Sequence, residues 1–370
     1  MFKSLICMTN KKKKRLLFGS VDIGYRINHY SDFIHTEFPD ELTAESFSKY
    51  QLPDTHYKTS YTYLCEIEKK SALYVYCYTT LFFLRALFRY QVFHFLSGET
   101  ILPWKLRGFE LACYRLLGKK IIMHFVGSDI RSETYLQEKN DHLEACLRGE
   151  YQIQSPISSS IQEKLIRQVR KHATNILVST PDLLQIIPEA TYLPVFLDFN
   201  HFIYEESEKT HVVSILHSPS AAKTKGSGHL SRIFENLKSE FGEAVTFITP
   251  VTRLNEVKSY ATTRYDLLNK MSGADIVIDQ LVIGWYGLKT VEALMLNCEV
   301  VCFIDDQLRN YLPENAPIID ANILNLETIL KQSIRKILSG EVTDSNKQEY
   351  VKKYHNIQQY KTYLEAIWLR

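Results

Sequence analysis

Glycine is scarce in this sequence, so its few positions are informative. The chain has 370 residues and 14 glycines, about half of the usual share of roughly 7%. A chain poor in glycine is expected to keep it where a turn or a close approach demands it. Many of these glycines lie at or near the ends of predicted strands: Gly19, Gly24, Gly98, Gly127, Gly226, Gly228, Gly284 and Gly287. The strand ends are therefore the first candidates for ligand-binding loops.

The sequence gives no support for a disulfide framework, a zinc site or a secretory signal. The seven cysteines are odd in number, and no two have C-x-x-C spacing. Cys298 and Cys302 lie in or beside an apolar run and are predicted to be buried. The basic run Lys11–Arg15 follows the short apolar start, the reverse of the order in a signal peptide. We therefore expect a cytoplasmic protein.

Neither sign of charge dominates the composition. The formal net charge is +2, with 45% hydrophobic and 23% charged residues. This balance excludes a disordered acidic chain and argues against a dedicated nucleic-acid binder, which usually carries a strong basic excess. At roughly 100 to 200 residues per domain, the length predicts two packed domains.

No uncharged run is long enough to cross a bilayer. The longest, Ser71–Leu84, is shorter than the about 20 residues that a spanning helix needs. It is either a buried element of the first domain or a basic-rimmed aromatic surface that rests on a membrane. Basic residues flank it: Lys69, Lys70, Arg85 and Arg89. Lys11–Arg15 adds attraction to anionic lipid in the second interpretation, and otherwise leads into a strand.

Strand and helix patterns alternate along the chain, which predicts βαβ units and mainly parallel sheets. The first half has predicted strands at Arg15–Ser20, Gln91–Leu96, Lys120–Val126 and Asn175–Ser179, and a helix starting at Thr180-Pro181. The pattern restarts with strands at His211–Leu216, Ala244–Ile248, Ala274–Ile278 and Val300–Ile304. We predict an α/β fold with an N-terminal domain, 1–200, a second domain, 201–344, and a helical tail, 345–370.

Two polar loops of the second half follow predicted strands. The first contains His217, Ser218, Ser220, Lys225 and Gly226, and it precedes a helix. Backbone amides in such a loop and the positive end of the next helix suit a phosphate, and Lys225 would add a point charge. The G-x-x-x-x-G-K spacing of a P-loop is missing, so an ordinary surface loop is the alternative.

The second loop runs from Asp279 to Gly287, and Glu292 follows in the next helix. Its turn can expose amides to a diphosphate, and a carboxylate early in the helix can accept hydrogen bonds from a ribose diol. Alternatively, Glu292 only stabilises the helix start through the macrodipole. The candidate ligand-binding residues of this loop are Gln280, Gly284, Tyr286, Gly287 and Glu292, with Asp279 as a candidate catalytic residue.

A third constellation ends a strand of the first half. His124 and Asp129 are candidate catalytic residues, with Gly127, Ser128 and Arg131 as candidate binding residues beside them. A histidine and a carboxylate at the carboxyl edge of a sheet suit acid–base chemistry or recognition of sugar hydroxyls. The alternative for His124 is a core histidine with its hydrogen bonds satisfied. Two α/β domains with such loops imply a ligand that bridges the cleft between them.

These segments resemble GT-B-fold glycosyltransferases, in the broad group around glycosyltransferase family 4. The donor-domain likeness rests on HSPS followed by KG, on ADIVIDQLVIGWYG and on VEALMLNCEVV. The first half contributes VFHFLSG and HFVGSDIR, and EYVKKYHNIQQYKTYL is similar to the closing helix that packs back toward the first domain. The match is discontinuous, from about Val92 to the C-terminus, and its strength lies in the order and spacing of the motifs.

The resemblance implies transfer of a sugar from a nucleotide-sugar to a glycan or lipid-linked acceptor. It implies a retaining enzyme of bacterial surface-polysaccharide assembly that needs no metal or cofactor and acts at the cytoplasmic membrane face. Lys225 matches the basic residue on the diphosphate, Glu292 the carboxylate on the ribose, and Gly284–Gly287 the turn beneath the donor. His124 and Asp129 match acceptor-side positions facing that donor.

The sequence departs from the family pattern at one important position. The family has two glutamates separated by seven residues, and the first would fall at Gly284. Asp279 or Gln280 is our candidate to contact the sugar instead. Asn297 replaces a family glycine, which is mild because asparagine tolerates left-handed geometry. The alternatives are a nucleotide-sugar epimerase of the same fold and a non-catalytic scaffold subunit.

Overall fold

The structure is a computed structural model that describes residues 13–52, 61–132, 135, 158–218, 227–249, 263–341 and 346–370, without the side chains of 227–229. It contains two parallel sheets, one of seven strands and one of five. The predicted α/β class is therefore confirmed. In the described part of the chain, no helix is both long enough and apolar enough to cross a membrane.

The first sheet has the strand order β3-β2-β1-β4-β5-β6-β7. Its strands are β1 (Lys14–Gly19), β2 (Leu42–Ser48), β3 (Tyr63–Leu64), β4 (Val92–Leu96), β5 (Lys120–Phe125), β6 (Asn175–Val178) and β7 (Thr191–Tyr192). All neighbours pair in parallel. The reversal of order at β1 and β4 is the topological switch point beside which doubly wound sheets bind ligands.

In the part of the chain that the structure describes, this sheet is accompanied by α1 (Arg26–Glu37), α2 (Ala72–Arg89), α3 (Arg107–Leu116) and α4 (Ser159–His172). Helices α2, α3 and α4 pack on one face in a core rich in phenylalanine and tyrosine. Gly118 ends α3 in the left-handed region, with φ of 64°, as the predicted helix end requires. The predicted helix at Thr180 is a 3-10 helix, Pro181–Gln185, and Thr180 makes no capping hydrogen bond.

The second sheet has the order β12-β11-β10-β8-β9. Its strands are β8 (Val213–Leu216), β9 (Val245–Ile248), β10 (Ile276–Ile278), β11 (Glu299–Cys302) and β12 (Ile318–Asp320). Its helices are α5 (Ser227–Phe241), α6 (Arg264–Ser272), α7 (Leu288–Met295) and α8 (Leu326–Leu338). Cys298 and Cys302 are buried there as predicted.

The chain then returns through α9 (Lys347–Tyr354) to α10 (Lys361–Leu369) on the first sheet. Trp368 of α10 is fully buried beside Phe18 and Tyr30, and its indole N–H donates to His94 Nδ1 at 3.3 Å. The last helix therefore completes the core on one face of the first sheet. The boundaries at residues 200 and 344 stay predictions.

Candidate functional site

Loops at the carboxyl ends of strands in the two sheets approach each other, and we call the place where they meet the cleft. A Cβ built on Gly24, after β1, would lie 3.0 Å from Leu288 Cδ2 in the first residue of α7. The guanidinium of Arg264 lies over the ring of Tyr25 at 5.4 Å. Gln185 Nε2 donates to Gln307 Oε1 at 3.3 Å. The loop between β1 and α1 and the start of α7 therefore form opposite walls of one site.

Three helices at this cleft begin with a cation. Arg26 is the first residue of α1, Arg264 is the first of α6, and Lys289 is the second of α7. A positive charge in the first turn is unfavourable because it opposes the helix dipole. Three such placements bring cations to both walls of one cleft, where Glu292 already pairs with Arg264, and a bound anion would offset the unfavourable charge at these helix starts. None of these cations was among the sequence candidates, although basic residues at predicted helix starts were a usable signal.

The start of α1 is held by Asp22, which follows β1. Its Oδ1 accepts a hydrogen bond from the amide of Ile27 at 3.1 Å, and its Oδ2 accepts one from the Tyr61 hydroxyl at 3.1 Å. Burial raises the pKa of this carboxyl to about 6, and those hydrogen bonds only partly oppose the rise. Asp22 is thus a carboxyl that exchanges its proton near neutral pH beside the cleft.

His124 lies beneath the cleft wall. It is 1% exposed, its ring stacks on His94 at 5.7 Å, and its Nε2 lies 3.0 Å from Ser179 Oγ. Burial lowers its pKa well below the ordinary value. His124 is therefore a core residue, but its buried Nδ1 has no hydrogen-bond partner among the described residues, and its catalytic role stays a prediction. Arg26 Nη1 donates to the same Ser179 hydroxyl at 2.6 Å, so His124 can still orient a cleft residue.

The loop after β5 is closed by its own side chains. Asp129 accepts hydrogen bonds from the amides of Val126, Gly127 and Ile130, at 2.9, 2.8 and 3.2 Å. Both carboxylate oxygens are engaged, so Asp129 shapes the loop. Burial raises its pKa despite these amides. Its predicted catalytic contact finds no support in this geometry, and Ser128 is the exposed residue at the loop tip.

Arg131 also turns inward. Its Nε donates to Asp182 at 2.8 Å and its Nη2 to Thr180 Oγ1 at 3.1 Å, and both members of the ion pair are buried. A Cβ on Gly127 would lie 2.7 Å from Arg131 Nη1, and φ of Gly127 is +142°. Glycine at position 127 leaves room for the Arg131 guanidinium and adopts the positive φ of this turn. The predicted acceptor-side arginine is therefore an internal brace of the loop.

The turn between β10 and α7 is organised by Asp279. Its Oδ2 accepts from Thr290 Oγ1 at 2.9 Å and from the amide of Gly287 at 3.3 Å. Asp279 is fully buried, and contact with a sugar stays a prediction. Gln280 lies beneath the same turn, since a Cβ on Gly287 would be 3.3 Å from its Nε2. Among the residues that the structure describes, nothing donates to its buried Oε1.

Gly284 cannot be replaced by a residue with a side chain on this backbone. Its φ is +85°, and a Cβ would lie 2.7 Å from the Cβ of Asp305. The amide of Asp305 also donates to the carbonyl of Gly284 at 2.9 Å. Asp305 follows β11, the neighbour of β10. The missing family glutamate therefore coincides with a close approach of two strand-end loops. Asn297 is left-handed as expected, with φ of 66°.

Glu292 is buried on α7 and paired with Arg264. The Nε and Nη2 of Arg264 lie 2.8 and 2.7 Å from Glu292 Oε1. Burial raises the pKa of Glu292, and Arg264 and then Lys289 oppose the rise. Both contacts use Oε1, so Oε2 remains for a ribose hydroxyl. An internal ion pair and a ligand contact are compatible at this carboxylate.

Lys289 joins the two predicted loops of the second sheet. Its ammonium donates to the carbonyl of Ser218, directly after His217, whose Nδ1 lies 3.1 Å from the carbonyl of Ile278. The loop after β8 and the start of α7 are therefore adjacent, as the sequence predicts. Three candidates of that loop, Ser220, Lys225 and Gly226, lie outside the described residues.

Tyr286 has a different position from the one predicted. Its ring is 2% exposed and stacks on Trp285 at 4.9 Å. Its hydroxyl lies 3.3 Å from both Tyr350 and His355 of the C-terminal segment. The side chain therefore packs in the core under the turn, and its contact with a donor stays a prediction. Trp285 is also buried, at 1% exposed, so both rings of the pair serve the core.

No protein-family model matches the chain, and no curated protein is significantly similar to it. Solved structures do resemble it over almost its whole length. Sucrose-phosphate synthase from Thermosynechococcus elongatus has 10% identity, covers 96% of this chain and 98% of its own, and gives a TM-score of 0.59. Anabaena HepE in complex with UDP and glucose has 12% identity, 96% and 100% coverage and a TM-score of 0.59.

The chain has the GT-B fold. A third structure of the same shape is a putative UDP-N-acetylglucosamine 2-epimerase from Listeria monocytogenes, with 11% identity, 95% and 98% coverage and a TM-score of 0.54. Identities this low show the fold alone, so the predicted architecture is confirmed. Membership of family 4 rather than another GT-B group stays a prediction.

Proposed function

We propose that this GT-B chain is a glycosyltransferase that transfers a sugar from a nucleotide-sugar donor to an acceptor. The observation that carries the proposal is the set of cations in the first turns of three helices at the cleft: Arg26, Arg264 and Lys289. A nucleoside diphosphate is the anion that such a site would stabilise as it becomes the leaving group. Sucrose-phosphate synthase and UDP-bound HepE have this fold, which supports the choice.

The donor would lie on the wall formed by the second sheet. The N-terminal amides of α7 and the Lys289 ammonium face the diphosphate, and Glu292 Oε2 accepts from the ribose. Lys225 is proposed to join them from the loop after β8. Gln280 Oε1, which accepts no hydrogen bond from the described residues, is placed to accept one from a sugar hydroxyl.

The finer proposal follows the family resemblance. The acceptor is a glycan or lipid-linked glycan of bacterial surface-polysaccharide assembly, at the cytoplasmic face of the membrane. Transfer retains the anomeric configuration and needs no metal, since the helix-start cations can neutralise the diphosphate instead. In this reaction the glycosidic bond to the donor phosphate breaks, the acceptor hydroxyl forms the new bond, and its proton leaves to solvent or a basic group.

A nucleotide-sugar epimerase is the second candidate, since one solved structure of this shape has that description. An epimerase converts a nucleotide-sugar without any acceptor. Incubating the chain with nucleotide-sugars and no acceptor, followed by chromatography of the sugars, separates the two. An epimerised donor would favour the second candidate. A non-catalytic subunit would bind nucleotide and convert no donor under any acceptor condition.

The first prediction concerns nucleotide binding. We expect one of UDP, GDP, ADP or CMP to raise the melting temperature, because a ligand that binds only the folded state stabilises it. Lys289→Ala should weaken that binding by about tenfold, the effect of losing roughly 1.4 kcal/mol at the diphosphate. Isothermal titration with the selected nucleotide measures the change.

The matched control is Lys336→Ala, which removes an exposed lysine from α8 in the same half of the chain. It should leave the affinity unchanged. If no nucleotide stabilises the protein, or if Lys289→Ala binds as tightly as the control, the donor site is assigned wrongly. Loss of transfer in Lys225→Ala combined with Glu292→Ala, measured with a panel of nucleotide-sugars, would extend the test to the reaction.

A further inference from the structure

Helix α2 is apolar on two opposite faces. Phe82, Phe83 and Ala86 point into the core, whereas Leu73, Leu81 and Phe88 are 74, 68 and 82% exposed. Soluble helices normally place polar residues on the face away from the core. The helix has 18 residues, and its outer stripe from Leu73 to Phe88 is about 22 Å long. An apolar stripe of that length in water indicates a surface that is covered in use.

Helix α3 extends the stripe into a broader surface. Its Phe109 and Leu116 are 60 and 86% exposed and are two turns apart on the same side of the helix. The rings of Phe83 and Phe109 lie 6.2 Å apart, so the helices are neighbours. We call this surface the α2–α3 face, defined by Leu73, Leu81, Leu84, Phe88, Phe109 and Leu116.

The charge around this face has one sign on the two helices. Helix α2 contains no acidic residue, and the acid of α3, Glu110, is buried and accepts from the amides of Ile101 and Leu102. Exposed cations border the face: Lys70, Arg85, Lys105 and Arg115. Of the nearby acids, Glu66 pairs with Lys69 at 2.5 Å, and Glu68 is exposed.

Several of these cations lie against aromatic rings. Lys70 is 5.5 Å from the ring of Tyr74, and Lys105 is 5.8 Å from the ring of Trp104. Amphipathic rings beside cations suit the headgroup level of a bilayer, where the ring contacts acyl chains and the charge meets phosphate. The apolar stripe, these aromatic rings and the basic rim are together the features expected of a surface that binds an anionic membrane.

We propose that the α2–α3 face docks the protein on an anionic lipid bilayer. A second copy of the chain fits less well, because a two-fold contact through this face would place two basic rims together. The first turns of α2 and α3 follow β3 and β4, so they lie at the carboxyl edge that carries the cleft. A lipid-linked acceptor in that bilayer could therefore present its headgroup to the cleft. This deepens the proposed function, yet lipid binding is measured without any donor.

Co-sedimentation with vesicles tests the docking. We expect binding to vesicles of equimolar phosphatidylcholine and phosphatidylglycerol, and at least about tenfold weaker binding to phosphatidylcholine alone, because cations contribute only at an anionic surface. Leu81→Glu combined with Phe88→Glu should weaken binding to the anionic vesicles by about tenfold or more. Both positions are exposed, so the fold should tolerate them, which the melting temperature and nucleotide affinity verify.

The control is Leu324→Glu combined with Leu338→Glu, two exposed leucines of the other half of the chain, 56 and 44% exposed. It should bind vesicles as the wild type does. Equal vesicle binding by the test and control variants would overturn the proposal. The proposal would also fail if the wild type did not co-sediment with anionic vesicles. A dimer that Leu81→Glu with Phe88→Glu dissociates in sedimentation velocity, without lipid binding, would identify a second copy as the occupant.

Discussion

The loops at the carboxyl edges of the two sheets use polar residues in opposite ways. After β5, Asp129 and Arg131 turn into their own loop, and His124 is in the core beneath it. After β10, Lys289 and Glu292 lie in the first half of α7, where Lys289 contacts the loop after β8 and Glu292 pairs with Arg264 of α6. The wall formed by the first sheet is therefore held in shape by its own side chains, and we call it the braced wall. The wall formed by the second sheet presents charged side chains, and we call it the charged wall. Conspicuous polar residues of a cleft can serve its shape rather than its chemistry.

The largest expected effect tests the braced wall. Arg131→Ala should lower the free energy of unfolding by about 3–5 kcal/mol, because it leaves the buried carboxylate of Asp182 without its cation. Nucleotide affinity should stay unchanged. Arg170→Ala breaks an exposed pair with Glu189 and should cost at most about 1 kcal/mol. Urea unfolding measures the stability of both variants, and titration calorimetry measures their nucleotide affinity. A large loss of nucleotide affinity in Arg131→Ala would contradict a purely structural role for the braced wall.

The next effect concerns the turn of the charged wall. Gly284→Ala should cost about 2–4 kcal/mol, from a positive φ that disfavours a Cβ and from the close Asp305. Gly340 also has positive φ, at 74°, but no atom lies within 4 Å of its Cβ position. Gly340→Ala should therefore cost only about 1 kcal/mol, from the left-handed backbone alone. Chemical unfolding compares the pair, and equal losses would mean that Asp305 yields to the new methyl group.

A smaller effect depends on pH and on Asp22 of the braced wall. Its folded pKa of about 6 lies above the ordinary 3.8. The stability that its protonated form contributes is therefore complete below about pH 4 and is lost as the pH rises through 6. Relative to wild type, Asp22→Asn should gain up to about 3 kcal/mol between about pH 4 and pH 7. Urea unfolding across that range measures the difference.

The control for this comparison is Asp40→Asn, at an exposed carboxyl. It should show no such change relative to wild type across the range. If the free energies of unfolding of Asp22→Asn and wild type changed in parallel with pH, the pKa of Asp22 would be the same in the folded and unfolded states. The braced wall would then lack a proton-exchanging group near neutral pH.

Much of the fold could be predicted from local patterns. Buried parallel strands are continuous apolar runs, so β4, β5 and β10 were recognisable as short segments rich in leucine, isoleucine, valine and phenylalanine. Other elements were missed: α1, β2 and α8 gave no prediction. In α1 the buried positions Ile27, Tyr30, Phe33 and Ile34 have helical spacing. This pattern was present in the sequence and was overlooked.

The loops of the candidate site were predictable in position, but the directions of their side chains were not, and their roles stay predictions. Gly284 and Glu292 stand where the sequence places them, at the turn and helix start of the second sheet. His124 and Tyr286 have suitable residue types but are buried, and burial depends on distant segments such as α10 and His355. Arg264 was missed because its partner Glu292 is 28 residues away in sequence.

The position of Trp368 has a consequence for how the chain is made. The first sheet is complete at Tyr192, yet one face of its core waits for a tryptophan near the C-terminus. At a synthesis rate of about 5–20 residues per second, that delay is roughly 10–35 s. During this time the second sheet can form first, while the apolar pocket around Phe18 and Tyr30 stays open on the nascent chain. The half of the protein that leaves the ribosome first is therefore the last to be sealed.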